Sequence, residues 1–228
     1  MHDVHVFGDS HWRVFFPFVN HGSPGVTHEG EGTFGMRIRT IDMVANELSG
    51  ATMYGLLNDS SKNGARRRIL GDLDRIGKVE NVGLVFGEVD ARYHNGRYFV
   101  DGRISRGRIY DLLARYRRFI DEDLLFTGRT QRVFVYHGFK YPKGPETLLQ
   151  PNQPIGDNHV AAAVVNAEIN CKLDLVLGGP NIHVIKPEIH SGHVSDDGVH
   201  LKPEFIYPEI RDHIERVLTP PPKWEIPF

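Results

Sequence analysis

Short apolar runs, each closed by glycine or a polar turn, recur along the chain and predict β-strands. Four of these runs span residues 4–7, 82–86, 133–136 and 173–177. Runs this short and this continuously apolar are typical of parallel strands that are covered on both faces. Residues 51–54 are a fifth strand candidate, whereas segment 20–40, rich in Gly and His and without a clear period, is predicted to be a long loop.

Between these runs, apolar residues recur at spacings of three and four, which predicts amphipathic helices. The four patterns are Ile69, Leu70, Leu73 and Ile76; Ile109, Leu112, Leu113, Tyr116, Phe119 and Ile120; Val160, Ala163, Val164, Ala167 and Cys171; and Ile206, Ile210, Ile214 and Val217. In the third pattern Cys171 lies on the apolar face and is predicted to belong to the core. The fourth begins after Pro203 and ends before the proline run at 220–222. Strands alternating with helices predict an α/β fold with a mainly parallel sheet.

Composition restricts the class of protein further. The chain has 228 residues, 27 Lys and Arg, 29 Asp and Glu, and a formal charge of −2, which argues against a general nucleic-acid binder. A single cysteine excludes an internal disulfide framework and a cysteine-based zinc finger. With neither a membrane-length apolar run nor a visible secretory signal, the expectation is a cytoplasmic protein that does not bind membranes. One α/β domain over residues 1–218, with a proline-rich tail over 219–228, accounts for the length.

Polar residues follow the predicted strands directly, at the edge where open α/β sheets bind ligands. Ser10 comes just after the first strand, and Asp197 and His200 lie three residues apart near the other end of the chain. A serine hydroxyl becomes an effective nucleophile when a histidine removes its proton and a carboxylate orients that histidine. These three residues are therefore the sharpest candidates for catalysis.

The stretches Gly8-Asp9-Ser10 and Asp197-x-x-His200 resemble the first and last sequence blocks of the SGNH/GDSL hydrolases, which are esterases and acyl hydrolases. Chain order, length and strand–helix alternation agree as well, so the resemblance covers nearly the whole chain. It implies a three-layer α/β/α sandwich with a mainly parallel five-stranded sheet of the flavodoxin-like type. It also implies Ser10 as the nucleophile, His200 as the general base and Asp197 as its orienting group, with no metal or other cofactor.

One block of that family pattern is altered. The family's Gly-x-Asn-Asp block, whose Asn donates to the oxyanion, corresponds to Gly87-Glu88-Val89-Asp90, and a valine cannot donate a hydrogen bond. The resemblance then leaves the amide of Ser10 and that of Gly50 or Gly55 as oxyanion donors. Arg92 is a candidate substitute cation, and Asp90 is a further candidate at the oxyanion or substrate site.

The substrate class follows from a narrower resemblance. Residues 86–92, read together with Gly8-Asp9-Ser10-His11, resemble a divergent SGNH branch that is associated with polysaccharide modification in bacteria. This implies an ester of a small molecule or a glycan as the substrate.

Other functions stay open at this stage. Because Val89 replaces a hydrogen-bonding residue, the chain also fits a glycan-binding or catalytically impaired SGNH scaffold, with segment 20–40 as a recognition loop. Asp9-x-His11 resembles the opening motif of metallophosphoesterases, with faint later echoes at Gly71-Asp72 and 156–159.

Two further patterns bear on cofactors. His183, His190 and His193 are the remaining candidates for binding a metal. Gly30-x-Gly32-x-x-Gly35 has the letters of a dinucleotide fingerprint but no preceding strand, and it is therefore not interpreted as a cofactor site.

Overall fold

The structure is a computed structural model. It describes residues 2–16, 26–28, 33–38, 41–48, 51–58, 60–88, 90–91, 106–138, 158–194 and 201–219.

A seven-stranded sheet forms the centre of the described part of the chain. Its strands are β1 (His2–Gly8), β2 (Val26–His28), β3 (Thr33–Ile38), β4 (Ile41–Glu47), β5 (Asn81–Val85), β6 (Arg132–Tyr136) and β7 (Ile182–Ile185). Their order across the sheet is β2-β3-β4-β1-β5-β6-β7. Strands β4, β1, β5, β6 and β7 pair in parallel. In the described sheet the β2–β3 and β3–β4 pairs are antiparallel. Five parallel strands in this order form a doubly wound sheet of the flavodoxin type, as predicted.

Helices cover both faces of this sheet. The α-helices are α1 (Met53–Leu56), α2 (Ala65–Ile76), α3 (Arg106–Phe119), α4 (Asn158–Leu177) and α5 (Pro203–Leu218). A π-helical turn, Ile120–Leu125, extends α3, and short 3₁₀ helices span Ser10–Phe15 and Ser191–His193. The four helices α1, α2, α3 and α4 pack in one apolar cluster on one face of the sheet. The first 3₁₀ helix and α5 pack in a second cluster on the other face. The predicted three-layer sandwich is confirmed.

Alternation along the strands explains how one sheet serves two cores. Val6 and Phe7 are consecutive in β1 and both fully buried, yet they belong to opposite clusters. Val135 and Tyr136 divide in the same way in β6. Since successive side chains of a strand point to opposite faces, a strand covered on both sides needs apolar residues at almost every position.

The prediction of a strand at 173–177 is wrong. These residues are the last turns of α4, and the edge strand of the described sheet is β7, which follows Gly178-Gly179-Pro180. A short, continuously apolar run fits a buried strand and a buried helix equally well, so periodicity alone cannot separate the two.

The predicted apolar face of the same helix is also wrong. Cys171, expected in the core, is exposed, whereas four residues at a spacing of four are buried: Val165, Ile169, Leu173 and Leu177. The outward face carries apolar residues too, and Leu175 is 80% exposed. With apolar side chains around the whole helix, its sequence does not identify the buried side.

The corrected helix face predicts contrasting effects of two substitutions. Ile169→Val should lower the free energy of unfolding by about 0.5–1.5 kcal/mol because it removes a buried methyl group. Cys171→Ser should change it by less than about 0.5 kcal/mol, since its side chain meets solvent. Urea unfolding of both variants measures the difference, and a larger loss for Cys171→Ser would contradict the assignment.

Two other local predictions need correction. Residues 51–54 are not a strand: they lead into α1, and the strand that precedes them is β4. Segment 20–40 contains β2 and β3 and is not simply a loop.

The other helix patterns are confirmed, with Pro203 as the first residue of α5. Helix α5 ends at Leu218, and residues 220–228 lie outside the described residues, so the domain boundary stays a prediction. None of the described helices combines the length and the apolar character needed to cross a bilayer.

Candidate active site

The carboxyl ends of the parallel strands meet at one edge of the sheet. In the pairing register Gly8 lies opposite Glu47 and Val85, and Val85 in turn lies opposite Tyr136. The residues that directly follow these positions are therefore neighbours in space. Ligands bind at this edge in open α/β sheets, beside the strand where the order reverses, which here is β1.

Gly8 allows β1 and β5 to come close at this edge. A Cβ on Gly8 would lie 2.7 Å from the Cβ of Val85 and 2.8 Å from its carbonyl oxygen, so the position has no room for a side chain. Asp9 N–H donates to the Val85 carbonyl at 3.2 Å, and Leu48 N–H donates to the Gly8 carbonyl at 2.7 Å. The end of β1 is thereby tied to both of its neighbours immediately before Ser10.

Asp9 caps the 3₁₀ helix that begins at Ser10. Its Oδ1 accepts the His11 N–H at 2.9 Å and lies 2.9 Å from His11 Nδ1. The side chains of Asp9 and His11 are both almost fully buried. The first amides of a helix have no partner within it, so a side-chain acceptor at this position fixes where the helix starts. The backbone of Ser10 thus occupies the first position of a capped helix at the carboxyl end of β1.

The residues after Ser10 hold this short helix against the sheet. Trp12 and Phe15 are fully buried in the apolar cluster that also contains α5, and the Trp12 ring meets Phe16 edge to face. Trp12 is therefore a core residue.

Asp90 joins the chain after β5 to the first turn of α1 through its side chain. Its Oδ2 accepts the Met53 N–H at 2.6 Å and its Oδ1 accepts the Tyr54 N–H at 2.9 Å. The side chain is completely buried. Both carboxyl oxygens are therefore engaged by the first turn of α1, and a direct contact of Asp90 with the oxyanion or the substrate stays a prediction.

Of the two oxyanion glycines considered, Gly55 has its amide engaged. Thr52 is the N-cap of α1, and its Oγ1 accepts the Gly55 N–H at 2.8 Å. Gly50 lies outside the described residues, but the chain on either side of it is described. Ala51 N–H donates to the Leu48 carbonyl at 2.8 Å, which fixes the ends of the segment that contains Gly50.

Burial dominates the electrostatics of Asp90. Together with the nearby carboxylates of Asp9 and Glu88, burial raises the pKa of Asp90 to about 7, against the lowering effect of the Tyr54 and Met53 amides. Burial also raises the pKa of Tyr116 well above its ordinary value, with Asp90 and Asp9 adding to the effect. Three buried carboxyl groups thus lie near one another behind the edge of the sheet.

His137 is buried at the end of β6 and links that strand to α4. Its Nε2 lies 2.8 Å from Oδ1 of Asn166. Burial lowers the pKa of His137 to about 4, despite hydrogen bonds with the Asn166 side chain and the Phe86 backbone. Gly87, with φ of +127°, passes so close that a Cβ there would lie 2.9 Å from His137 Nδ1. His137 is therefore uncharged at neutral pH, and its side chain connects the end of β6 to α4.

Comparison with known proteins establishes the fold. No family model and no curated protein sequence matches the chain. Among solved structures, a carbohydrate acetylesterase from Sinorhizobium meliloti is 13% identical, with 96% of this chain and 99% of that chain covered and a TM-score of 0.55. An aryl esterase from M. smegmatis is 12% identical, with 95% and 100% covered and a TM-score of 0.56. A protein from Slackia heliotrinireducens assigned as an SGNH hydrolase is 12% identical, with 93% and 98% covered and a TM-score of 0.51.

The chain has the fold of the SGNH hydrolases. The resemblance first drawn from Gly8-Asp9-Ser10 and Asp197-x-x-His200 is thereby confirmed for the architecture of nearly the whole chain. The five parallel strands of this chain are ordered β4-β1-β5-β6-β7, with β1 beside the point where the strand order reverses.

Several predicted residues of the SGNH site lie outside the described residues: Gly50, Val89, Arg92, Asp197 and His200. For Ser10 the backbone is described but not the side chain. Their roles stay predictions.

The chain that flanks the Asp197-x-x-His200 segment is nevertheless well anchored. Val194 and Leu201 form an antiparallel bridge, and Lys202 N–H donates to the His193 carbonyl at 2.7 Å. Leu201 is buried in the apolar cluster that contains Trp12, two residues after Ser10.

The alternative metal sites gain no support from the described side chains. In the part of the chain that the structure describes, no group of three or more His, Cys, Asp or Glu side chains is placed to hold a metal ion. His190 and His193 meet edge to face at 5.0 Å, His193 stacks on Phe205, and the His183 ring lies over Phe134. Asp72, one of the metallophosphoesterase echoes, lies within α2 and pairs with Arg75.

Sequence reasoning missed the two capping roles. An Asp directly before Ser10 is a recognisable helix-cap signal, so the role of Asp9 was within reach of the sequence. The contact of Asp90 with α1 joins residues 36 and 37 positions apart, and no local pattern indicates it.

Proposed function

We propose that the protein is a serine ester hydrolase that acts through Ser10, His200 and Asp197. The observation that carries the proposal is the position of Ser10 within an SGNH fold. Its backbone opens a capped 3₁₀ helix at the carboxyl end of β1, where the sheet order reverses. A residue at such a point lies at the ligand-binding edge of an open α/β sheet.

In the proposed reaction the Ser10 hydroxyl attacks the ester carbonyl while His200 takes its proton. Asp197 orients His200 and stabilises the imidazolium that forms. The tetrahedral intermediate collapses, and the alcohol leaves with the proton held by His200. Water then attacks the acyl-serine by the same route in reverse, which releases the acid and restores Ser10.

The proposed oxyanion hole consists mainly of backbone amides. Ser10 and Gly50 supply them, because the amide of Gly55 already donates to Thr52. Val89 stands where the family places its Asn donor, and Arg92 is the proposed substitute. Removal of one oxyanion donor typically lowers the rate by about 10²- to 10³-fold, so a substitute would have a large effect.

We further propose an O-acyl or O-acetyl group on a carbohydrate as the substrate. The motif resemblance to a polysaccharide-modifying branch supports this class, and one of the structural neighbours is a carbohydrate acetylesterase. The same triad on a glycan-binding scaffold that does not turn over esters is the competing function, favoured only by Val89.

A combined labelling and turnover assay tests the proposed function. The wild-type protein should hydrolyse a short-chain aryl acetate with EDTA present, and it should release acetate from an acetylated glycan. A fluorophosphonate probe should become attached to Ser10, which mass spectrometry of the peptide locates, because an activated serine attacks the phosphorus centre. Turnover that EDTA abolishes would support the metal-dependent alternative, and glycan binding without turnover or labelling would support the scaffold.

A further inference from the structure

We propose that Asp90 is a positioning residue for the oxyanion hole: it holds the first turn of α1, and through it the segment that carries Gly50, at a fixed place relative to Ser10. This inference rests on the proposed function, because it assigns a catalytic consequence to a contact within the fold.

The contact itself is specific and shielded from water. Each carboxyl oxygen of Asp90 accepts one amide, from Met53 and from Tyr54, and the side chain has no exposed surface. Helix α1 is only four residues long. A single helical turn has too few internal hydrogen bonds to be stable alone, so its position depends on what holds its ends.

The segment that carries Gly50 is tied at both of its ends. At one end Leu48 N–H donates to the carbonyl of Gly8, two residues before Ser10. At the other end Thr52 leads directly into Met53, which Asp90 holds. Only a few residues separate these two anchors, so a shift of α1 would be passed on to Gly50 with little slack in the chain.

The position of α1 matters more in this chain than in one whose oxyanion hole contains a side-chain donor. Val89 removes the Asn donor, which leaves the hole dependent on backbone amides whose positions are set by the fold. A displacement of about 1 Å of a catalytic group can lower a rate by about 10²-fold. Asp90 follows Val89 directly, so the same loop that lacks the donor carries the residue that holds the remaining one.

The two amides of α1 explain why a carboxyl group is buried at position 90. Burial of an ionisable group is unfavourable, and the neighbouring carboxyl groups of Asp9 and Glu88 add to the cost. Two amide donors nonetheless match the two oxygens of the ionised carboxylate, the form that prevails above the pKa of about 7, and a neutral amide side chain cannot reproduce both acceptors. The pair of acceptors, and not merely a polar group of this size, is what holds α1.

Asp90→Asn is the direct test. The variant places an NH₂ group against one of the two backbone N–H groups, so one hydrogen bond is lost and α1 is released on that side. We expect kcat for an aryl acetate to fall by about 10- to 100-fold with KM within about twofold, since the interaction is made in the transition state. Hydrogen exchange of the Met53 and Tyr54 amides should become faster.

Two further variants make the outcome decisive. Ile69→Val removes a methyl group from the same apolar cluster as Met53 and controls for a general loss of stability, and its kcat should not change. Thr52→Val loosens α1 from its other cap and serves if Asp90→Asn does not fold. It should lower kcat by about 3- to 10-fold at constant KM.

The results separate the two proposals. Active wild type, inactive Ser10→Ala and an Asp90→Asn variant as active as Ile69→Val would overturn the positioning role alone. A raised KM with unchanged kcat in Asp90→Asn would also overturn it, because Asp90 would then act in substrate binding. No ester turnover by the wild type would overturn the proposed function, and the positioning role with it.

Discussion

Ser10→Ala should lower kcat for an aryl acetate by at least about 10³-fold and abolish labelling by a fluorophosphonate. Without the hydroxyl no acyl-serine forms, and only the oxyanion amides and substrate binding remain to accelerate attack by water. The change removes a single oxygen at the first position of a 3₁₀ helix whose start is fixed by Asp9 and whose end is buried. The fold should therefore be retained, which circular dichroism and urea unfolding check.

The matched control is Ser60→Ala. Ser60 is exposed and lies between α1 and α2 in the chain. Its hydroxyl donates to Asn58 at 2.7 Å at the protein surface. It should leave kcat, KM and labelling unchanged. His200→Ala should resemble Ser10→Ala, and the double variant should be no worse than either single one, because the residues of a triad act as a unit. Retention of more than about a tenth of kcat in Ser10→Ala would contradict a serine nucleophile.

The sequence predicts correctly the helices that have a single apolar face and the strands that are buried on both faces. Helices α2, α3 and α5 each carry an apolar stripe on an otherwise polar surface, and the residues of the α3 pattern are all buried. Strands β1, β5 and β6 are covered on both faces, and their apolar runs indicate this directly. In these cases the local pattern and the tertiary environment agree.

The wrong predictions concern elements with no such contrast. Helix α4 is apolar on its inner and its outer side, so its end at 173–177 has the appearance of a strand. Strands β2 and β3 lie at one edge of the described sheet in a Gly- and His-rich segment. They are placed by antiparallel pairing, β2 with β3 and β3 with β4, and no apolar run in the sequence indicates this pairing. Which surface meets which neighbour is decided by topology, and a single sequence does not contain that information explicitly.

The candidate site divides in the same way. Ser10, Asp197 and His200 are candidates that the sequence indicates, because the residues of a triad occur in short, recognisable patterns. The contact of Asp90 with Met53 joins the segments that follow β5 and β4, which come together because both strands pair with β1. A contact of that kind depends on the order of the strands, so it becomes visible only in the folded structure.

Asp90 and His137 should give the folded protein two opposite dependences of stability on pH. Asp90 has a folded pKa of about 7, above its ordinary value of about 4, so between these values the folded state keeps a proton that the unfolded state has lost. Its contribution to stability is complete below about pH 4 and is lost as the pH rises towards 7. His137 has a folded pKa of about 4, below its ordinary value of 6.5, so between these values only the unfolded chain binds the proton. Its contribution is present above about pH 6.5 and is lost as the pH falls towards 4.

The two groups should therefore oppose each other in wild type between about pH 4 and 6.5, and substitution should separate them. As the pH rises through this range, the unfolding free energy of Asp90→Asn should increase relative to that of wild type by roughly 1 kcal/mol per pH unit. That of His137→Gln should decrease relative to wild type by roughly as much. Across the full range each difference reaches a few kcal/mol, because each fully buried group shifts by two to three pH units. Urea unfolding of the three proteins from about pH 4 to 8 measures these slopes, and NMR titration of the Asp90 carboxyl carbon and the His137 ring in wild type checks them without any substitution. Parallel stability curves for wild type and Asp90→Asn would show that the Asp90 carboxyl titrates normally, and that burial does not raise its pKa as the structure indicates.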